Sequence, residues 1–379
     1  MRFTRLRLAN WRNFADVDVA LQGRVFLIGP NAAGKSNLLD SIRFLHDLVA
    51  VGGGFEEAIQ RRGGVSKLRC LAARRDPEVM ISVTVGANEG APEWRYELAF
   101  NQEKRSPPLI RREMVWKDKA ELLKRPNEDD KLDAARLQQT HIEQINVNKE
   151  FRPLADFFKS VRYSHLVPQL LRESDRTIVR SQDPFGSDFL ERVAGTPDRT
   201  RTARLKRINE ALKVAVPQLK ELEFYRDEDK GTPHLRGKYA HWRPRGAWQT
   251  EEQFSDGTLR LLGLLWVVLD AAGPLLLEEP ELSLHPEVVR HLPSMFARMQ
   301  RRTGRQVLVS SHSADLLHDE GIGLDEVLVL KPETEGTRVA VASDFEQVRA
   351  LVEGGLPLAD ALLPQTRPPR AEQLSLFGD

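Results

Sequence analysis

The stretch "FLIGPNAAGKSNLLDSI", Phe26 to Ile42, decides the fold. Val25 to Ile28 is a short apolar run that predicts a buried strand. Gly29-Pro30-Asn31-Ala32-Ala33-Gly34-Lys35-Ser36 then fits G-x-x-x-x-G-K-[ST]. The glycines permit a tight turn whose backbone N–H groups face inward. Those groups and the following helix N-terminus bind anionic oxygens. Lys35 can reach β- and γ-phosphates, and Ser36 can ligate Mg²⁺. Leu38, Leu39, Ile42, Phe44, Leu45 and Leu48 follow at helical spacing, so strand, loop and helix come in the order the motif needs. A Gly-rich turn met by chance would lack that context. Gly29, Asn31, Gly34, Lys35, Ser36 and Asn37 are the candidate nucleotide contacts.

Working outward, the 379-residue chain is 41 % apolar and 29 % charged, a globular mixture long enough for two domains or one large domain with an insertion. Its formal net charge of +1 gives no argument for nucleic acid, so any basic site must be local. Cys70 is the single cysteine, which excludes an intrachain disulfide and suits a reducing compartment. The start, "MRFTRLRLANWRNF", alternates apolar residues with arginines and reads as a strand rather than a signal peptide. The greasiest segment, "LLGLLWVVLDAAGPLLL", is broken by Asp270 and by Gly273-Pro274, too short on either side to span a bilayer. A soluble cytoplasmic protein with no membrane contact is expected.

Three later stretches carry chemistry. "GPLLLEEPELSLHP" begins as a strand, Leu275 to Leu277, and ends in Glu278-Glu279. A carboxylate at the end of a core strand beside a phosphate loop can hold Mg²⁺, and a second can orient or deprotonate an attacking water. Glu278 is assigned to the metal and Glu279 to the base; the bland alternative is an exposed acidic turn. "RQVLVSSHSADLL" carries a strand, Val307 to Val309, that ends near His312. Such a histidine can meet the γ-phosphate or the water, or be only a satisfied polar group. In "EEQFSDGTLRLLGLLWVVL", Ser255-Asp256-Gly257 precedes an apolar helix, which makes either an anion site or a plain N-cap.

Taken in order, Gly29–Ser36, Ser255–Gly257, Glu278–Pro286 and His312 resemble the ABC-type ATPases, in the branch of SMC, RecF and OLD proteins and their stand-alone ABC-like AAA relatives. The "NWRNF" turn resembles that branch's N-F-R-x-F turn. The resemblance covers about 1–100 and 250–345. It implies an α/β P-loop head with a mixed sheet flanked by helices. It implies that ATP and Mg²⁺ are bound, and that ATP is sandwiched in a homodimer between Lys35 of one copy and the Ser255, Asp256, Gly257 turn of the other. It makes Glu278 the metal carboxylate where classical ABC proteins have Asp, Glu279 the hydrolytic base and His312 the switch histidine. It leaves His285 without a clear role, offers Arg12 as a phosphate contact, and leaves the metal-contacting glutamine open between Gln169 and Gln60.

The organisation expected is a split core: 1–100 with the phosphate loop, a charged and mainly helical lid at 101–247, a second core half at 248–345, and a tail at 346–379. "NEDDKLDAARLQQTHIEQI" and "RTRTARLKRINEALKVAV" read as amphipathic helices, and "DEDKGTPHLRGKYAHWRPRGAW" as loop. Basic clusters that can meet DNA phosphates are Arg61, Arg62, Lys67 and Arg69; Arg74 and Arg75; and Arg199, Arg201, Arg204, Lys206 and Arg207, the last along one helix. Too little chain follows His312 for a nuclease domain, and Asp344 with Glu346 make no metal cluster, so an effector such as a Toprim nuclease is expected on another polypeptide. Gln373, Leu374, Leu376 and Phe377 in "EQLSLFGD" resemble the peptide that docks on the bacterial sliding clamp. The resemblance favours the ATPase of a DNA-linked anti-phage or anti-plasmid complex. The alternatives are a RecF-like repair ATPase acting alone and a transporter's energising subunit; "EEPELSLHP" in place of D-E-P-T-S-x-L-D argues against the last.

Overall fold

The computed structural model describes residues 1–72, 77–87, 93–103, 106–172, 183–240, 247–270 and 273–367. In chain order its strands are β1 (Arg2–Trp11), β2 (Phe14–Ala20), β3 (Arg24–Ile28), β4 (Val79–Gly86), β5 (Trp94–Asn101), β6 (Leu109–Lys117), β7 (Ala120–Arg125), β8 (Arg162–Ser164), β9 (Leu219–Arg226), β10 (Pro233–Tyr239), β11 (Ala247–Thr250), β12 (Leu275–Glu278), β13 (Val307–Ser311), β14 (Val327–Glu333) and β15 (Gly336–Val341). The central sheet has the order β15-β14-β3-β13-β12-β8. Its strands pair in parallel from β14 to β8, and β15 closes the edge antiparallel.

The central strands are apolar at nearly every position because both their faces are buried. Val25, Leu27, Leu276, Leu308 and Leu328 join one core with the helix Lys35–Val49. Their neighbours Phe26, Leu275, Leu277, Val307, Val309 and Val327 join a second core around the helix Asp256–Asp270. Each fully buried side chain of this size is worth about 1.5–3 kcal/mol over leaving it exposed, so the sheet is anchored from both sides. That parity also aims the strand ends. Glu278 shares the face of Leu276, the face on which the phosphate-loop helix lies.

A second sheet, β2-β1-β4-β5-β6-β7, is antiparallel throughout and packs on the other side of that helix. Buried Gln306 ties the two sheets together. Its Oε1 accepts from Phe3 N–H at 2.9 Å, and its Nε2 donates to Phe3 O and Gln22 O, both at 2.7 Å. The third sheet, β11-β10-β9, packs against the helix Asp198–Ala215.

The stretch 101–247 differs from the mainly helical lid expected. β6 and β7 extend the second sheet, β8 completes the central one, and β9 to β11 form the third. Most of the charges that looked helical sit at exposed or half-buried strand positions, while Glu113 of β6 and Arg125 of β7 are buried as an ion pair. β6 also buries Ile110 and Val115, and β10, inside the expected loop, buries Leu235. Of the two expected helices, Asp198–Ala215 forms. The other is cut short at Glu128–Leu132 and followed by a 3-10 turn at Ala134–Gln138, because buried Arg125 draws in Asp130 and the carbonyls of Arg136 and Gln139. Among the described residues no helix is long and apolar enough to cross a membrane. Arg74, Arg75, Gln373, Leu374, Leu376 and Phe377 lie outside the described residues.

Candidate active site

The site lies where parallel strands end together, the usual position for a ligand in an open α/β sheet. The register sets Glu278 beside Ser310, and Ser311 beside Ile28. The acidic strand end, the histidine strand end and the start of the phosphate loop are therefore neighbours. The loop leaves β3 at Gly29, where a Cβ would meet Leu330 O at 2.6 Å. It enters the helix at Gly34, with φ +94° and Asn13 Nδ2 only 2.2 Å from any added Cβ. That helix has neither a side-chain cap nor an acid in its first turn, which leaves its N-terminal N–H groups to an anion. Asn31 and Ser36 are exposed at the loop.

Lys35 is buried, and its Nζ donates to Gly29 O at 2.8 Å and Pro30 O at 3.1 Å, with His312 Nδ1 at 3.1 Å. Burial pulls the Lys35 ammonium down to about 8, against the opposing pull of Glu279, Glu281 and Glu278. His312 Nε2 contacts Glu279 Oε1. Accepting from Lys35 at Nδ1 assigns the ring proton to Nε2, which then donates to the carboxylate. Ser36 Oγ donates to Glu278 Oε1, and the Tyr163 hydroxyl donates to Glu278 Oε2. Burial, then the Glu278 carboxylate, pushes that phenol up, so Tyr163 stays protonated as the donor.

Glu279 adopts φ 45°, a left-handed conformation that costs a non-glycine residue of the order of 1 kcal/mol or more. Arg260 Nη1 donates to its carbonyl at 3.2 Å. Buried Glu281 accepts from Ser311 Oγ at 2.5 Å and from His312 N–H at 3.2 Å, while its Oε2 has no hydrogen-bond partner. Burial pushes the Glu281 carboxyl up despite those bonds.

The Ser255-Asp256-Gly257 turn has a different neighbourhood. Ser255 Oγ accepts from Thr258 N–H at 3.3 Å, as an N-cap does. Asp256 takes Arg172 at 2.6 Å and Gln169 Nε2 at 3.3 Å. Gly257 is needed because a Cβ there would lie 2.5 Å from Ser283 O, in the loop after the acidic strand. Among the described residues no hydrogen bond or ion pair joins this turn to the phosphate loop.

Other expected residues are placed as follows. Arg12, at φ 52°, donates from Nη2 to Asp40 at 3.0 Å, which ties one edge of its guanidinium to the phosphate-loop helix. Asn37 Nδ2 donates to Asn13 Oδ1 at 2.7 Å, and Asn13 Nδ2 donates to Ala33 O at 3.0 Å and Thr337 Oγ1 at 2.8 Å, bracing the loop from below. Gln60 bonds Glu56 on the exposed face of its helix, and Gln169 donates to Asp256 in the Ser255-Asp256-Gly257 turn. His285 caps the helix Pro286–Arg290. Of the five cations expected along one helix, Arg201 turns to Asp198 and the Phe224 ring, and Arg204 to Asp270 and the Trp266 ring; Arg199, Lys206 and Arg207 stay exposed. Arg62 is buried between Asp40 and Asp47, which both pair with its guanidinium.

Sequence reasoning missed Asn13, Tyr163, Arg260 and Glu281. Asn13, Arg260 and Glu281 stood inside quoted stretches, "NWRNF", "EEQFSDGTLRLLGLLWVVL" and "EEPELSLHP". Nothing around Tyr163 marks it, because its role comes from lateral strand pairing.

A phosphate loop, an acidic strand end and a histidine strand end on one parallel sheet define a P-loop ATPase of the ABC type. The family profile described as "AAA domain, putative AbiEii toxin, Type IV TA system" matches residues 24–319, and the chain belongs to that family. Its place is in the SMC, RecF and OLD-like branch. The chromosome partition protein Smc of Cereibacter sphaeroides is 40 % identical over 65 residues, 16 % of this chain and 6 % of that protein. The DNA replication and repair protein RecF of Rhizobium etli is 32 % identical over 103 residues, 26 % of each. The endonuclease GajA of Bacillus cereus is 30 % identical over 100 residues, 24 % of this chain and 17 % of that protein. The matches thus span about a quarter or less of these relatives' own length. In fold, the chain resembles an SmcHead bound to the C-winged helix domain of ScpA, with TM-score 0.57 at 12 % identity over 90 % of this chain and 97 % of that one. It also resembles the Pyrococcus furiosus Smc head with an extended coiled coil, bound to the C-terminal domain of ScpA: TM-score 0.55 at 10 % identity over 93 % and 99 %.

Proposed function

We propose that the chain hydrolyses ATP in a head-to-head homodimer and serves as the motor or sensor of a DNA-linked defence complex whose effector is a separate protein. The supporting observation is the meeting of Lys35, Ser36, Glu278, Glu279 and His312 at three adjacent strand ends. Lys35 exchanges its loop carbonyls for β- and γ-phosphate oxygens. Glu279, held by His312 and by its own constrained backbone, takes the proton of the attacking water. Ser36 and Glu278 fit a magnesium ion bound mainly through phosphates and water, since they offer one hydroxyl and one carboxylate. That ion supplies charge neutralisation on the phosphates.

The exposed Ser255 turn, bonded to neither the loop nor Lys35 of its own chain, fits a role on the partner's nucleotide. Hydrolysis then weakens the dimer, a population shift between engaged and open pairs. DNA contact, a nuclease-like effector and the defensive role rest on the relatives, GajA and the family description above all; the sliding-clamp peptide rests on Gln373, Leu374, Leu376 and Phe377 alone. Mixing complementary variants tests the sandwich. Lys35→Ala and Ser255→Arg chains are each expected to be inactive. An equimolar mixture should regain about a quarter of wild-type turnover, because half the dimers are mixed and each mixed dimer holds one intact site of two. A mixture as inactive as its components overturns the shared site.

A further inference from the structure

We propose that Tyr163 is a positioning residue for the metal-side carboxylate: its hydroxyl anchors one oxygen of Glu278 so that the other faces Ser36. The inference rests on the reading of Glu278 as the carboxylate that serves the metal.

β8 is the edge strand of the central sheet, and its register sets Tyr163 opposite Leu276 in β12. Side chains two apart along a strand share a face, so Tyr163 and Glu278 project to the same side, one diagonal step apart. The two Glu278 oxygens are divided between two hydroxyls, Ser36 on Oε1 and Tyr163 on Oε2. The tyrosine is itself held. Its ring packs against the core beneath the phosphate-loop helix, and the Arg43 guanidinium covers it at 4.9 Å. Arg43 and Ser36 lie on the same helix, so one rigid element fixes both hydroxyls that grip the carboxylate.

The physical need arises from Glu at position 278. It has one more rotatable bond than Asp, and its head samples more positions unless something removes that freedom. A hydrogen bond to Oε2 removes it and leaves Oε1 directed at the Ser36 side. When Ser36 turns its oxygen to a metal, Glu278 keeps an anchor and stays in place. An ordinary core tyrosine would also pair its hydroxyl, since burying it unpaired is costly. Its loss would then lower stability and leave the metal dependence of nucleotide binding where it was.

The experiment measures affinity for a fluorescent, non-hydrolysable ATP analogue across a magnesium titration and in EDTA. It uses the full chain as wild type, Tyr163→Phe, Glu278→Asp, Glu278→Gln and the Tyr163→Phe, Glu278→Asp double variant. Tyr163→Phe is expected to leave the affinity in EDTA unchanged and to raise the half-maximal magnesium concentration about tenfold, as for loss of an outer-sphere partner. Glu278→Asp, too short to reach Tyr163, should make the tyrosine change silent. A Tyr163→Phe curve that overlays wild type overturns the inference, as does a change of equal size with and without magnesium, or full additivity in the double variant. If wild type itself binds the analogue equally with and without magnesium, the metal role of Glu278 fails first. A wild-type response lost in Glu278→Gln but unmoved in Tyr163→Phe removes only the tyrosine's part.

Discussion

Two buried clusters of charge, one in the second sheet and one at the phosphate loop, use the same residue types to opposite ends. At the first, Arg125 spends all five N–H donors. Nε and Nη2 hold Asp130 at 3.0 and 2.9 Å, Nη1 holds Glu113 at 3.0 Å, and Gln139 O and Arg136 O each lie 2.8 Å away. Glu113 also accepts from His141 N–H, Ile142 N–H and the Tyr96 hydroxyl. At the phosphate loop, Glu281 Oε2 and Arg260 Nε, both buried, have no hydrogen-bond partner. The first cluster is saturated and joins a strand to the loop after it. The second keeps unmet valences and a strained Glu279, as a site that must accept a charged substrate and let its product go. A count of buried charges would have ranked the two alike; the hydrogen-bond ledger separates them.

Breaking the saturated cluster should have the largest effect. Arg125→Met leaves Glu113 and Asp130 buried without their cation, a loss of about 3–5 kcal/mol in urea unfolding, while the ATP affinity of the folded fraction holds. Adding Glu113→Gln and Asp130→Asn should restore part of that stability. If Arg125→Met unfolds like wild type, the contrast between the clusters is wrong.

At the open cluster the cost should fall on rate. Glu279→Gln is expected to lower turnover by about 10²–10³-fold, to keep ATP affinity within about threefold, and to raise the ATP-bound dimer fraction in light scattering. Normal turnover in this variant would remove Glu279 from the base role.

A smaller effect sharpens the comparison through pH. Burial, reinforced by Arg125, pulls the His141 imidazole from 6.5 down to about 4, so the fold holds it neutral. Its contribution is full above pH 6.5 and is lost as pH falls from there to about 4, of the order of 3 kcal/mol or less. In the same cluster burial opposes ionisation of Asp130, but the Arg125 hydrogen bonds hold its carboxyl down to about 2, so its own loss comes at lower pH. Urea midpoints measured from pH 7 to 4 should therefore decline in wild type and flatten in His141→Gln. An equal decline in both would assign it to other groups.

Legibility followed the range of the interaction. The phosphate loop, the acidic strand end and the helix after Ser255 could be read because each is a contiguous string with its own local geometry. The stretch 101–247 could not. Its strands β6, β9 and β10 are rich in charge, and their few buried apolar residues join cores built from distant parts of the chain, so composition mistook them for helix or loop. Within the cation cluster at 199–207, the pairing of Arg201 and Arg204 with Phe224, Trp266 and Asp270 was hidden for the same reason, since those partners arrive only on folding.

What the sequence determined alone was the class of chemistry, because a backbone cradle, a lysine and a strand-end carboxylate are specified by near neighbours. Tertiary structure decided which groups finish the site. Lateral pairing of β8 with β12 brings Tyr163 to Glu278, the packing of the helix Asp256–Asp270 brings Arg260 to Glu279, and the loop after β12 returns Glu281 beneath His312. Those contacts join residues 19 to 115 positions apart, or pass between separate strand ends. No local pattern encodes them, because their geometry exists only once both faces of the central sheet are covered.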